Sequence, residues 1–166
     1  GRSKIANFFI NNTEFEYLLF IDSDISFDTK HVIRLLNRNK DIVAGSYPMK
    51  TIPLKYNYAK SSPEIKDGDL VKIDSIGMGF VLVRRKVFLD ISYSYPDLKY
   101  IPDTVSAPVP EKEFQNSYHY FAEMKYNTNF LPEDISFFHR ARSVGYDVWL
   151  DTTIDLEHVG SYVFKK

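Results

Sequence analysis

The run Tyr17-Leu18-Leu19-Phe20-Ile21 leads straight into Asp22-Ser23-Asp24, so two carboxylates, two residues apart, follow an unbroken apolar stretch. An apolar run of this length closed by charge reads as a strand covered on both faces. Both aspartates then stand at its C-terminal end, the edge where open α/β sheets bind ligands. Ionised oxygen is costly to bury without a partner. The expected partner is a hard divalent cation, Mg2+ or Mn2+, which takes oxygen ligands and keeps positions open for a substrate phosphate. The competing reading is a strand-end turn in which Asp22 or Asp24 caps the helix that follows. Further along, Glu133 and Asp134 open a helix that Phe137 and Phe138 bury one turn later. The helix dipole alone favours acids there, yet a first turn anchored in the core is also a rigid place for a general base. His158 follows a short strand and sits beside Gly160. A lone histidine is most often structural, but at the same sheet edge it would complete a metal site. Gly77-Met78-Gly79 is in the first instance a tight turn and in the second a backbone cradle for substrate.

The elements that would position these groups follow from periodicity. Residues 2 to 11 read as a helix with Ile5, Phe8 and Phe9 on one face. Asp28 caps a second helix to about Asn39 with Val32, Leu35 and Leu36 as its stripe. Asp41 to Gly45 reads as a strand, and the order strand, helix, strand predicts a parallel pair joined by a crossover. Lys66-Asp67-Gly68-Asp69 is a hairpin signal. Phe80 to Val83 is another apolar strand ending at Arg84-Arg85. Ser92 to Ser117, with prolines at 96, 102, 108 and 110, reads as an irregular excursion. A strand is expected at Tyr118 to Met124, then a helix from Glu133 to about Val144 closed by Gly145. Val148 to Leu150 and Ile154 to Leu156 read as short strands leading to His158-Val159-Gly160.

The 166 residues fit one domain with a real core. A net charge of −1 gives no electrostatic pull toward nucleic acid or anionic lipid. Twelve Tyr and thirteen Phe suit either sugar stacking or a large aromatic core. The absence of cysteine excludes disulfides and thiolate metal sites, and with no signal peptide or membrane span in view the expected location is the cytoplasm. For the same reason Asn11-Asn12-Thr13 is discounted as a glycosylation acceptor. Because the chain opens on Gly1 rather than Met, it reads as a fragment or processed form.

Taken in order, Leu19-Phe20-Ile21-Asp22-Ser23-Asp24-Ile25, Asp41-Ile42-Val43-Ala44-Gly45-Ser46-Tyr47-Pro48, the Gly77-Met78-Gly79-Phe80 turn, Glu133-Asp134-Ile135-Ser136-Phe137-Phe138 with Arg140-Ala141, and His158-Val159-Gly160 resemble the GT-A glycosyltransferases. The narrower likeness is to family 2-like nucleotide-sugar transferases. The resemblance implies a three-layer α/β fold with a mostly parallel central sheet, here a single domain over 1–166 with its N-terminal unit truncated. That unit, a strand, helix and strand that grips the nucleobase, would precede the segment matching Arg2 to Asn7. It further implies a metal-dependent transfer of a hexosyl-type sugar from a nucleotide-diphosphate donor to a saccharide or other hydroxyl acceptor, with inversion. On that likeness Asp24 contacts Mn2+ or Mg2+, Asp22 serves the ribose or a metal-bound water, and His158 is a further ligand. Gly77, Met78 and Gly79 border sugar and acceptor. Asp134 is the base, with Glu133 its possible substitute. Tyr47 and Trp149 are candidates to stack on sugar, although core packing is the commoner fate of such a tryptophan. Two rivals stand beside this reading: a noncatalytic sugar- or nucleotide-binding module, and a metal-dependent phosphohydrolase using Lys50 near the same edge.

Overall fold

The computed structural model describes residues 1–101, 116–160 and 163–165. Helix α1 spans Arg2–Asn12, β1 Tyr17–Ile21, β2 Ile25–Ser26, α2 Thr29–Asn37 and β3 Ile42–Gly45. Strands β4 (Tyr58–Lys60), β5 (Lys66–Asp67), β6 (Leu70–Ile76) and β7 (Phe80–Arg84) follow, then α3 (Arg85–Ser94) and a 3-10 turn at Pro96–Leu98. A hairpin of β8 (Met124–Tyr126) and β9 (Asn129–Leu131) leads to α4 (Glu133–Ser143), β10 (Val148–Asp151), β11 (Glu157–Val159) and β12 (Val163–Phe164).

The main sheet runs β1-β7-β3-β10-β6-β4, with β5 on β6. Its alternating side chains divide between two cores. Leu18, Phe20, Ile42, Ala44, Val81, Val83, Val148 and Leu150 face the first, beneath α1, α3 and α4. Tyr17, Leu19, Val43, Phe80, Leu82 and Trp149 face the second, beneath α2 and the segment carrying Ile154 and Leu156. Each fully buried Val, Leu, Ile or Phe contributes about 1.5–3 kcal/mol, so both faces of the sheet are held chiefly by burial.

The expected mostly parallel sheet is corrected here. Only β3 and β10 pair in parallel among the described residues of the main sheet; β1–β7, β7–β3, β10–β6, β6–β4 and β6–β5 are antiparallel. β1 lies at the sheet edge rather than its centre. Its continuous apolar character reflects partial packing on both faces, Leu18 and Phe20 against the first core and Tyr17 and Leu19 against the second, which an edge strand can share with a central one, so the run alone could not report its place. The crossover is correct in direction but not in adjacency: β1 and β3 run the same way, with antiparallel β7 inserted between them.

Other local expectations meet the structure unevenly. Asp28 caps α2 in a capping box, its side chain accepting from the Lys30 N–H while His31 Nδ1 accepts from the Asp28 N–H. Asp22 and Asp24 are therefore free of that duty. Helix α1 buries Ala6, Asn7 and Phe9 and leaves Ile5 and Phe8 exposed. Helix α3, which buries Val87, Phe88 and Ile91, lies where no helix was expected. Tyr118 makes only an isolated bridge to Lys99 instead of starting a strand. The short strand expected at Ile154 to Leu156 forms instead at Glu157–Val159, in a separate three-stranded sheet with β2 and β12. Of the proline-rich excursion, Pro96 opens the 3-10 turn, whereas Pro102, Pro108 and Pro110 lie outside the described residues.

Candidate functional site

Since β1 and β3 run together and β7 runs against them, the ends of β1 and β3 and the start of β7 share one sheet edge. The β1–β7 ladder continues one step past β1, where the Asp22 N–H donates to the Gly79 carbonyl at 3.0 Å. Asp24 is fixed next, because β2 begins immediately after it and pairs antiparallel with β11, His158 opposite Ile25. The Val159 N–H donates to the Asp24 carbonyl at 2.8 Å. That short ladder sets two side chains 134 residues apart in sequence face to face, with His158 Nε2 3.1 Å from Asp24 Oδ2.

The other imidazole nitrogen fixes the ring. His158 Nδ1 lies 2.9 Å from the Pro48 carbonyl, an acceptor, so Nδ1 carries a proton. Nε2 then either carries a second proton or offers its lone pair beside the Asp24 oxygen. With the second proton, Nε2 donates to Asp24; with its lone pair exposed, the two groups could share a cation, and a histidine whose far nitrogen is held by a backbone carbonyl is a common metal-binding arrangement. Lys50 Nζ also reaches Asp24 Oδ2, at 2.7 Å. This hydrogen bond, with help from His158, holds the Asp24 carboxyl below the usual range.

A second acidic group stands across the Gly77-Met78-Gly79 turn. Asp134 Oδ2 accepts from the Met78 N–H at 3.1 Å, and Oδ1 accepts from Arg2 Nη1 at 3.1 Å. Burial pushes the Asp134 carboxyl above its ordinary value, against the pull of Arg2 and the Met78 N–H. Helix α4 supplies the rigidity: Phe137 and Phe138 are fully buried, and Phe137 stacks on Phe121 with centroids 4.6 Å apart. Arg2 also pairs with Glu133 and reaches Asp22 Oδ1 at 2.9 Å. Burial works against its charge, and Asp134 and Asp22 outweigh that.

Tyr47 bolts the turn from the other side. The Gly79 N–H donates to its hydroxyl at 3.1 Å, and a Cβ on Gly79 would lie 2.4 Å from that oxygen. Only glycine permits this approach. Burial pushes the Tyr47 phenol up to about 12, so it stays protonated, and its ring meets His158 edge-on at 5.2 Å.

Asp22, Asp24, Tyr47, Gly77, Met78, Gly79, Glu133, Asp134 and His158 are thus gathered at one edge. Trp149 is not among them: it packs with the second core under the Lys40 ammonium, 4.6 Å from its ring centre. Its strand position decides this, since it faces the α2 side from mid-sheet. Arg2 was missed, although a signal existed. Cations are disfavoured in a helix's first turn, so an arginine there implies acidic partners elsewhere.

No group of three or more His, Cys, Asp or Glu able to hold a metal is assembled among the described residues. The donor set is the pair Asp24 and His158. Mg2+ is commonly held by one or two carboxylates together with substrate phosphate and water; of such a set Asp24 would supply the carboxylate and His158 an added nitrogen. No helix of the described residues is long and apolar enough to cross a membrane.

No family model and no curated protein matches the chain. Among solved structures, the crystal structure of A197 from STIV aligns over 99% of this chain and 73% of its own, with a TM-score of 0.55 and 17% identity. At that identity the likeness is one of fold. The resemblance to GT-A glycosyltransferases is accordingly withdrawn: no family model carries it, and the sheet lacks the parallel character it required. Short acidic, glycine and histidine signals arise from the local chemistry of strand ends and helix starts in many folds, so their order did not define a family.

Proposed function

We propose that this edge is the active site of a metal-dependent transferase that moves a sugar from a nucleotide-diphosphate donor to a hydroxyl acceptor, with inversion. The observation that carries the reading is the Asp24–His158 pair, two metal-ligand types 3.1 Å apart with the far imidazole nitrogen already committed. Bound there, Mg2+ or Mn2+ supplies charge neutralisation to a departing diphosphate. Asp134, stiffly mounted and raised in pKa, takes the proton of the acceptor hydroxyl. The acceptor oxygen bonds to the anomeric carbon as that carbon's bond to the β-phosphate oxygen breaks, and the electron pair leaves with the nucleoside diphosphate. Lys50, paired with Asp24, and Arg2, paired with Asp22 and Asp134, are the cations that would meet the diphosphate and so uncover Asp24 and Asp134. Glu133 shares Arg2 with Asp134 and so tunes how readily the base is uncovered. The proposed setting is the cytoplasm, whose reducing conditions a chain without cysteine tolerates.

The test is calorimetry of Mn2+ with a nucleoside diphosphate, followed by a donor turnover assay. Asp24→Ala is expected to abolish metal-conditional binding; unchanged binding refutes the site. Binding without turnover points to a noncatalytic module. The Lys50–Asp24 contact favours one second reading, a phosphohydrolase, which release of inorganic phosphate from simple esters would support.

A further inference from the structure

The chain that leaves β3 runs through Tyr47 and Pro48 into a loop that closes on itself. Pro48 bridges Tyr56, and the Met49 N–H donates to the Lys55 carbonyl at 2.7 Å. Inside the loop the Thr51 N–H donates to the Met49 carbonyl at 2.7 Å and the Thr51 hydroxyl to the Pro53 carbonyl at 3.2 Å, so the tip is held by its own backbone. The tip so held turns apolar side chains outward. Ile52, Pro53 and Leu54 stand exposed in succession, Ile52 at 89% and Leu54 at 45%, with Met49 beside them at 41%. Single exposed apolar residues are ordinary, but a run of them on one ordered tip does nothing for the core and marks a contact surface.

Charge and size choose the partner. Between Asp41 and Glu64 the chain carries Lys50, Lys55 and Lys60 and no acid, a local excess that the net charge of −1 hides. Lys50 is committed to Asp24. Lys55, next to the tip, is exposed and has no ion pair among the described residues. A specific protein interface takes about 800 Å² from each partner, far more than one short loop presents. A bilayer requires no matching shape: a few apolar side chains enter the acyl boundary while a lysine stays among anionic headgroups. Nucleic acid would match the lysines and leave the apolar tip unmatched. We propose that the loop from Met49 to Lys55 docks this protein on an anionic lipid surface, with Ile52 and Leu54 in the acyl boundary and Lys55 at the headgroups. The loop is joined to the candidate site through Lys50 on Asp24 and the Pro48 carbonyl on His158, so docking brings that sheet edge to the membrane surface. The docking itself does not rest on the transfer reading.

The experiment is flotation of the full chain with vesicles of phosphatidylcholine alone, or of equal parts phosphatidylcholine and phosphatidylglycerol, with no divalent cation or nucleotide added. Binding to the mixed vesicles is expected, and weaker binding to phosphatidylcholine alone. Ile52→Ser should lower partitioning roughly tenfold, the loss of one inserted apolar side chain. Lys55→Gln should lower it about fivefold, on the mixed vesicles only. Ile52 is exposed enough for substitution to leave the fold intact, and an unchanged melting temperature checks this. Because the chain has no cysteine of its own, Ile52→Cys carrying an environment-sensitive fluorophore reports the depth of the tip, and its emission should move to the blue on mixed vesicles. No binding to mixed vesicles, binding indifferent to Ile52→Ser, or a label that stays in water overturns the proposal. A dimer that Ile52→Ser abolishes, without vesicle binding, overturns it in favour of a second copy of the chain. Vesicle binding by a chain with no affinity for Mn2+ and nucleoside diphosphate keeps the docking and sinks the transfer reading.

Discussion

At the scale of single residues, the site divides its carboxylates by environment. Asp24 is held low by Lys50 and suits a cation. Asp134 is pushed up by burial, the direction that makes a carboxylate a better base. Asp134→Asn should therefore keep nucleotide-diphosphate binding while transfer falls by about 10²–10⁴-fold, measured as kcat beside a binding isotherm; undiminished kcat would remove Asp134 from the base role. The glycine turn gives a sharper steric prediction. Gly79→Ala drives a methyl into the Tyr47 hydroxyl and should cost about 1–3 kcal/mol in denaturant unfolding. In a Tyr47→Ala background the same change should cost distinctly less, and equal costs would mean the clash is relieved elsewhere.

At the scale of elements, α4 is the mount of the proposed base, and its hold on the core is aromatic. Phe137 touches Phe88, Phe121 and Phe138, so Phe137→Ala should cost about 3–5 kcal/mol by chemical denaturation; a cost below 1 kcal/mol would show that the helix is held otherwise. This helix was legible in sequence because Pro132, Glu133, Asp134 and Gly145 mark its ends by local chemistry. Its close turns on Gly145, which adopts a positive φ of 97°. The β1 tip, the Asp28 cap and the Gly68 hairpin were legible for the same reason. What escaped was non-local. Helix α3 begins directly at the end of β7 with Arg85, which is tied to the backbone carbonyls of Phe9, Ile10, Thr13 and Phe15; no neighbour in sequence announces that. Strand order escaped likewise, because an apolar run records that its faces are covered and not which strand lies beside it. The gathering of Asp24 and His158 depends on β2 and β11, strands of two and three residues, too short for any periodic signal.

At the scale of the whole molecule, the acid response follows from paired carboxylates. Burial pushes Asp151 up, but Arg38 at 2.7 Å and the Thr153 hydroxyl and N–H outweigh it and hold its pKa below the ordinary value. A depressed native pKa adds stability above the unfolded-state value, and that stability is lost as pH falls through the native one. Asp134 has the opposite sign: its contribution is full below the unfolded-state value and is lost as pH rises through its raised native one. Melting curves across the acid range should thus show a loss that Asp151→Asn flattens, whereas an unaltered acid limb in that variant would assign it to other groups. The sheet edge, the glycine turn and the two acidic centres are already linked through Arg2, Tyr47 and His158; the transfer reading further requires that a cation join Asp24 to His158. Electron spin-echo spectroscopy of the Mn2+-loaded chain with a nucleoside diphosphate tests that most directly. Nitrogen modulation from a coordinated imidazole, present in the native chain and lost in His158→Gln, is the predicted result; its absence from the native chain, or its persistence in the variant, would contradict the account.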